Sequence, residues 1–160
     1  MHQSALEKDQ LVPAFSLPGA DGMLHGPWDY KQRENLLLLF IQSAATGEGR
    51  GLLRTFADHF RALREEQCAV LAITAETVVV NLEAQVALHL PFPLLADPKG
   101  GVISYYTRWN AVQRTLAPSM LLVNRYNALY EQWITESESD FPALTTVLAS
   151  LHYLNSICTP

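Results

Sequence analysis

An α/β domain, with helices packed on a central mixed sheet, is predicted by three segments read in succession. Asn35 precedes an unbroken apolar run over residues 36–41, too short for a membrane span and suited to a strand covered on both faces. Leu52, Leu53, Phe56, Phe60 and Leu63 then recur at helical spacing and lay one apolar stripe against a sheet. Cys68–Thr74 is a second apolar run, so the chain completes a βαβ unit whose two strands are expected to be parallel.

The other elements follow in order. Residues 1–10 are polar and expected to be loose. A short alternating strand over residues 14–17, the Asp21-Gly22 turn and a second short strand over residues 23–25 predict an N-terminal β-hairpin. After the second long strand, residues 77–90 suit a helix carrying Val80, Leu82, Val86, Leu88 and Leu90, which Pro91 stops. Its Val78-Val79-Val80 start is β-prone. Pro93 and Pro98 bracket a short extended piece, and Asp97-Pro98-Lys99-Gly100 has the residue types of a turn or helix entry. Strands over residues 119–124 and 128–135 are joined by Arg125-Tyr126-Asn127. A last helix is expected from Asp140, an N-cap with Pro142 close behind, with Phe141, Leu144, Val147, Leu148, Leu151 and Leu154 on one face. No repeat, low-complexity tract or linker divides residues 1–160, so a single domain is expected.

Composition narrows the function classes. A hydrophobic content of 49% against 17% charged residues belongs to a folded chain. The net charge of −5 and pI near 5.4 give no electrostatic reason to expect nucleic acid or an anionic membrane as partner. The opening residues have neither a basic n-region nor an apolar h-region, and a cytoplasmic location is expected. His2, His25, His59, His89 and His152 show no metal-ligand spacing among themselves or with Cys68 and Cys158, so neither a metal nor another cofactor is expected.

Chemistry in such a fold often sits where a strand runs into a helix, because the helix N-terminus offers unpaired N–H groups and a positive dipole end. A thiol there would have a lowered pKa, yet residues 42–51 contain no cysteine. Gly47, Gly49 and Gly51, with Arg50 as helper, form a weak anion-binding or nucleotide-binding pattern without the Gly-Lys-Ser/Thr that a phosphate loop needs. Arg50, Arg54, Arg61 and Arg64 also read as the solvated face of the helix. Cys68 lies in an apolar strand and reads as a core residue, whereas Cys158, near the end of the chain, reads as accessible.

Several blocks carry a family resemblance. Pro13, Phe15, Leu17, Asp21, Gly22, Asp29 and Tyr30, then Phe40, Thr46 and a helix beginning near Arg50, and above all residues 92–100 followed by Tyr105 or Tyr106, resemble the peroxiredoxins, the alkyl hydroperoxide reductase and thiol-specific antioxidant family. The resemblance spans roughly residues 11–135 and implies a thioredoxin-like fold of the peroxiredoxin type. It places the family's Thr at Thr46, its Pro at Gln42 and its peroxidatic Cys at Gly49, so the nucleophile is missing. The family's Arg falls on Pro118, with Arg114 four residues earlier. Ala117-Pro118-Ser119 is also similar to the site of the cis-proline that faces the redox loop of thioredoxins. What this implies is a degenerate member of the family without peroxidase activity, a binding or regulatory module. Gln42, Ser43, Thr46, Gly49, Arg50 and Pro118 would form its pocket, and a protein or peptide, or a second copy in a homodimer, would be its partner. The alternative is a thiol-disulfide oxidoreductase or weak thiol peroxidase using Cys158 or Cys68.

Overall fold

The computed structural model describes residues 6–45 and 47–157 and arranges them about one five-stranded sheet. β1 (Leu17–Pro18) and β2 (Leu24–His25) form the expected hairpin, shifted a few residues along the chain. The turn between them is tight enough to need a left-handed residue, and Gly22 supplies it at φ +83°. Residues 6–10, expected to be loose, are held: Leu6 is 5% exposed, and the backbone of Asp9 and Gln10 bonds to Leu129.

β3 (Asn35–Ile41) is the central strand, and all seven of its residues are buried. A loop leads to α1 (Gly47–Asp58), which is followed by α2 (Phe60–Glu65). The apolar stripe predicts one continuous helix here. The structure breaks it at His59, whose backbone leaves the helical region (φ −111°, ψ 15°) and whose Nδ1 lies 3.0 Å from the Thr55 carbonyl. β4 (Cys68–Thr74) runs parallel to β3 in full register.

α3 (Val78–Leu88) forms despite its three leading valines, because the Thr77 side chain caps it by accepting from Val80 N–H. β5 (Leu94–Ala96) adds a third parallel strand. α4 (Ile103–Tyr106) starts where Asp97 Oδ2 accepts from the Val102 and Ile103 amides at 2.9 and 2.8 Å. A small hairpin follows, β6 (Trp109–Asn110) with β7 (Thr115–Leu116), which no alternating pattern in the sequence predicts. β8 (Ser119–Val123) and β9 (Leu129–Ile134) are antiparallel and complete the sheet in the order β5-β4-β3-β8-β9. The last helix, α5 (Leu144–Ile157), begins later than Asp140, which instead ends a 3-10 turn over Glu138–Asp140.

Alternation along the central strands sends side chains into two cores. Leu37, Leu39 and Ile41 face α1, α2, α3 and α5 with Val70, Ala72, Met120 and Leu122. Leu36, Leu38 and Phe40 face α4, the small hairpin and residues 6–17. On that second face Phe40 stacks on Tyr106 (5.1 Å between centroids), whose hydroxyl donates to the Pro13 carbonyl.

Gly100, at φ +72°, packs flat beneath the Trp109 ring, and a Cβ there would overlap the indole. Gly100→Ala is therefore expected to lower stability by roughly 2–4 kcal/mol, a left-handed strain plus an overpacking cost, read as a fall in the denaturation midpoint at unchanged slope.

Candidate functional site

The loop after β3 is shaped by side chains that the sequence did not single out for that role. Gln42 acts as a clamp. Its Nε2 donates to the Arg114 carbonyl (3.0 Å) and its Oε1 accepts from the Leu116 amide (2.9 Å), tying the start of the loop to the β6–β7 hairpin. Ser43 Oγ accepts from Ala45 N–H at 3.0 Å, a local turn. Two hollows open on either side of Gln42. One, of about 310 Å³, is lined by Ser43, Gly47, Glu48, Gly49 and Glu138 as well as Gln42. The other, of about 390 Å³, lies between Gln42, Ala75, Glu76, Thr77, Pro98 and Arg114.

Gly49 is buried in the first turn of α1, and a Cβ built on it would collide with the Ser43 carbonyl oxygen. A glycine inside a helix ordinarily costs roughly 0.5–1 kcal/mol relative to alanine. Here the close approach of the loop backbone requires it. The position therefore admits no side chain as the loop stands.

Arg50 is not free to serve an anion. Its Nη1 donates to the Ala44 carbonyl (3.4 Å) and lies 3.5 Å from Glu83 Oε2, bracing the loop against α3. Glu48 is likewise engaged, accepting from Ser137 Oγ at 2.5 Å. Arg114, at φ +56°, turns its guanidinium to the Pro98 carbonyl (2.8 Å) and lines the larger hollow. Pro118 corrects an expectation: its peptide bond is trans, and it lines neither hollow. The trans geometry suits the pairing on both sides, with Ala117 N–H donating to Arg108 O and Pro118 O accepting from Thr135 N–H (2.9 Å). Thr46 and Cys158 lie outside the described residues.

Thus Gln42, Ser43 and Gly49 line one hollow with Gly47, Glu48 and Glu138, while Arg50 and Pro118 do not line it. The Gln42 clamp was missed because its partner hairpin carries no alternating pattern. The one available signal was Asn110, whose Oδ1 accepts from the Val112 and Gln113 amides in a turn typical of Asn.

Cys68 offers no reactive sulfur. It is fully buried; desolvation pushes its thiol pKa up well beyond the ordinary range, against only a modest opposing pull from Arg64. Among the described residues no group of three His, Cys, Asp or Glu side chains could hold a metal ion, and no helix is long and apolar enough to cross a membrane.

Three parallel strands extended by the antiparallel pair β8–β9, an N-terminal hairpin and a strand-to-helix loop at the end of the central strand define a thioredoxin-like α/β protein of the peroxiredoxin type. The chain belongs to the AhpC/TSA family, whose model matches residues 9–132. Solved structures similar to it include the peroxidoxin BcpB from Mycobacterium tuberculosis (TM-score 0.82, 15% identity, covering 94% of this chain and 99% of that one). Peroxiredoxin Q from Xanthomonas campestris is similar at TM-score 0.77 and 13% identity, covering 91% of this chain and 98% of that one. A thiol peroxidase from Chromobacterium violaceum is similar at TM-score 0.76 and 17% identity, covering 94% and 88%. No curated protein sequence matches the chain significantly.

Two measurements check this geometry. Gly49→Ala, which in an open helix would raise stability, is expected to lower it by about 1–3 kcal/mol through the Ser43 collision; an increase in the denaturation midpoint would show that the loop yields. Cys68 is expected to be silent to a thiol reagent in the native protein and to react once denaturant unfolds it, so native labelling that disappears in Cys68→Ser would contradict the buried thiol.

Proposed function

We propose that this member of the family has lost the peroxidatic cysteine, with Gly49 in its place, and serves as a non-catalytic binding or regulatory module of the cytoplasm. The observation that carries this reading is the collision between any Cβ at position 49 and the Ser43 carbonyl. A peroxide-reducing thiolate needs room, exposure and an electropositive neighbour. Position 49 has no room for a sulfur, and Arg50 beside it is committed to Glu83 and the Ala44 carbonyl.

What such a site retains is recognition. The hollow beside Gln42 has polar walls from Ser43 and carboxylates from Glu48 and Glu138, and the loop behind it is braced at both ends by Gln42 and Arg50. A rigid, pre-formed hollow binds without first paying to order itself, which favours a protein or peptide segment as its partner, with the chain acting alone or as a homodimer.

Peroxide consumption by the purified protein with a dithiol reductant tests the reading. The expected result is no turnover above the buffer rate, for the unmodified chain and for Cys68→Ser and Cys158→Ser alike. Turnover abolished by Cys158→Ser would overturn it in favour of a relocated thiol.

A further inference from the structure

At the end of the sheet away from the Gln42 loop, an open hollow of about 340 Å³ lies between the turn after α2, the β8–β9 turn and the last turns of α5. Most of its walls are already committed. Glu66 accepts from Asn155 Nδ2 through Oε1 (3.1 Å), and its Oε2 lies 3.2 Å from His152 Nδ1. Glu65 pairs with Arg61 Nε at 3.7 Å. The Ser156 hydroxyl donates to the Tyr153 carbonyl at 2.6 Å.

Arg125 differs from all of these. Its backbone is fixed, because Asn124 Oδ1 closes the β8–β9 turn by accepting from the Tyr126 and Ala128 amides and because the Arg125 carbonyl accepts from Gln32 N–H (2.5 Å). Its side chain is partly buried, yet Nε is enclosed with no acceptor, and the guanidinium has no carboxylate partner among the described residues. Sequestering a charged donor in this way sacrifices its hydration without replacement. Gln67 lies exposed at the rim of the hollow, where its side-chain amide can donate through Nε2 or accept through Oε1. Among the charged side chains of this hollow, Arg125 is therefore the one whose donors are left open, and they sit on a fixed backbone frame.

We propose that this hollow is a binding site for a small anion, a ligand bearing a carboxylate or phosphate group whose oxygens are taken by the Arg125 fork, with Gln67 as a second donor. A planar guanidinium matches two oxygens of either group at once.

Titration of the full chain with inorganic phosphate and, separately, with succinate, at constant ionic strength, tests this. Saturable binding of at least one probe is expected, with amide shifts at residues 66–67, 125 and 155–156; which probe binds tells phosphate from carboxylate. Arg125→Gln is expected to weaken binding about tenfold or more at an unchanged melting temperature, Arg125→Lys to weaken it less, and Arg54→Gln, on the exposed face of α1, to leave it unchanged. Absence of saturable binding by both probes would overturn the proposal. So would equal losses from Arg125→Gln and Arg54→Gln, or shifts confined to other parts of the chain.

Discussion

Everything in this molecule depends on β3 being covered on both faces. A strand buried on both sides must be apolar at every position, must find hydrogen-bond partners along both edges, and must have separate layers ready to receive its alternating side chains. β4 in parallel and β8 in antiparallel supply the edges. Four helices supply one layer, and a patchwork of short pieces supplies the other. The patchwork is the more demanding side, since no long element covers it. The Phe40–Tyr106 stack and the Tyr106 hydroxyl on the Pro13 carbonyl join pieces almost a hundred residues apart in sequence.

The same strand delivers the loop that carries the candidate site. Because Ile41 is locked in the sheet, the chain has only a few residues in which to reverse before α1 begins at Gly47. The turn is tight enough to press the Ser43 carbonyl onto Gly49, and it is held in that shape from outside, by Gln42 on the small hairpin and by Arg50 on α3. A loop braced on two sides resists remodelling, so the glycine at position 49 and the close approach of the Ser43 carbonyl depend on each other.

Long, strongly patterned elements were legible in the sequence for physical reasons. Residues 36–41 could only be a doubly covered strand, and the stripe from Leu52 to Leu63 could only be a helix against a sheet. The break at His59 was not, because it is a local departure of one residue's backbone, which the periodicity of apolar residues does not register. Nor was the trans peptide at Pro118, where strand pairing on both sides decides the geometry. At the site, composition was legible and arrangement was not: that residues 42–51 hold no cysteine can be read from the letters, but the collision at Gly49 and the Gln42 clamp depend on how the loop backbone and a distant hairpin are placed. The same holds for Arg125, one arginine in a turn until its lack of a partner is seen.

The opening of the chain bears on solubility. β9 borders the sheet, and a bare border strand offers its amides and carbonyls to any other extended chain. Residues 6–12 occupy part of that border: Asp9 N–H bonds to the Leu129 carbonyl, Leu129 N–H to the Gln10 carbonyl, and Gln132 reaches the Leu6 carbonyl at 2.6 Å. This stretch is irregular and short, so it satisfies the border without extending the sheet. It works as a selvedge, finishing a woven edge so that nothing further can be stitched to that end of it.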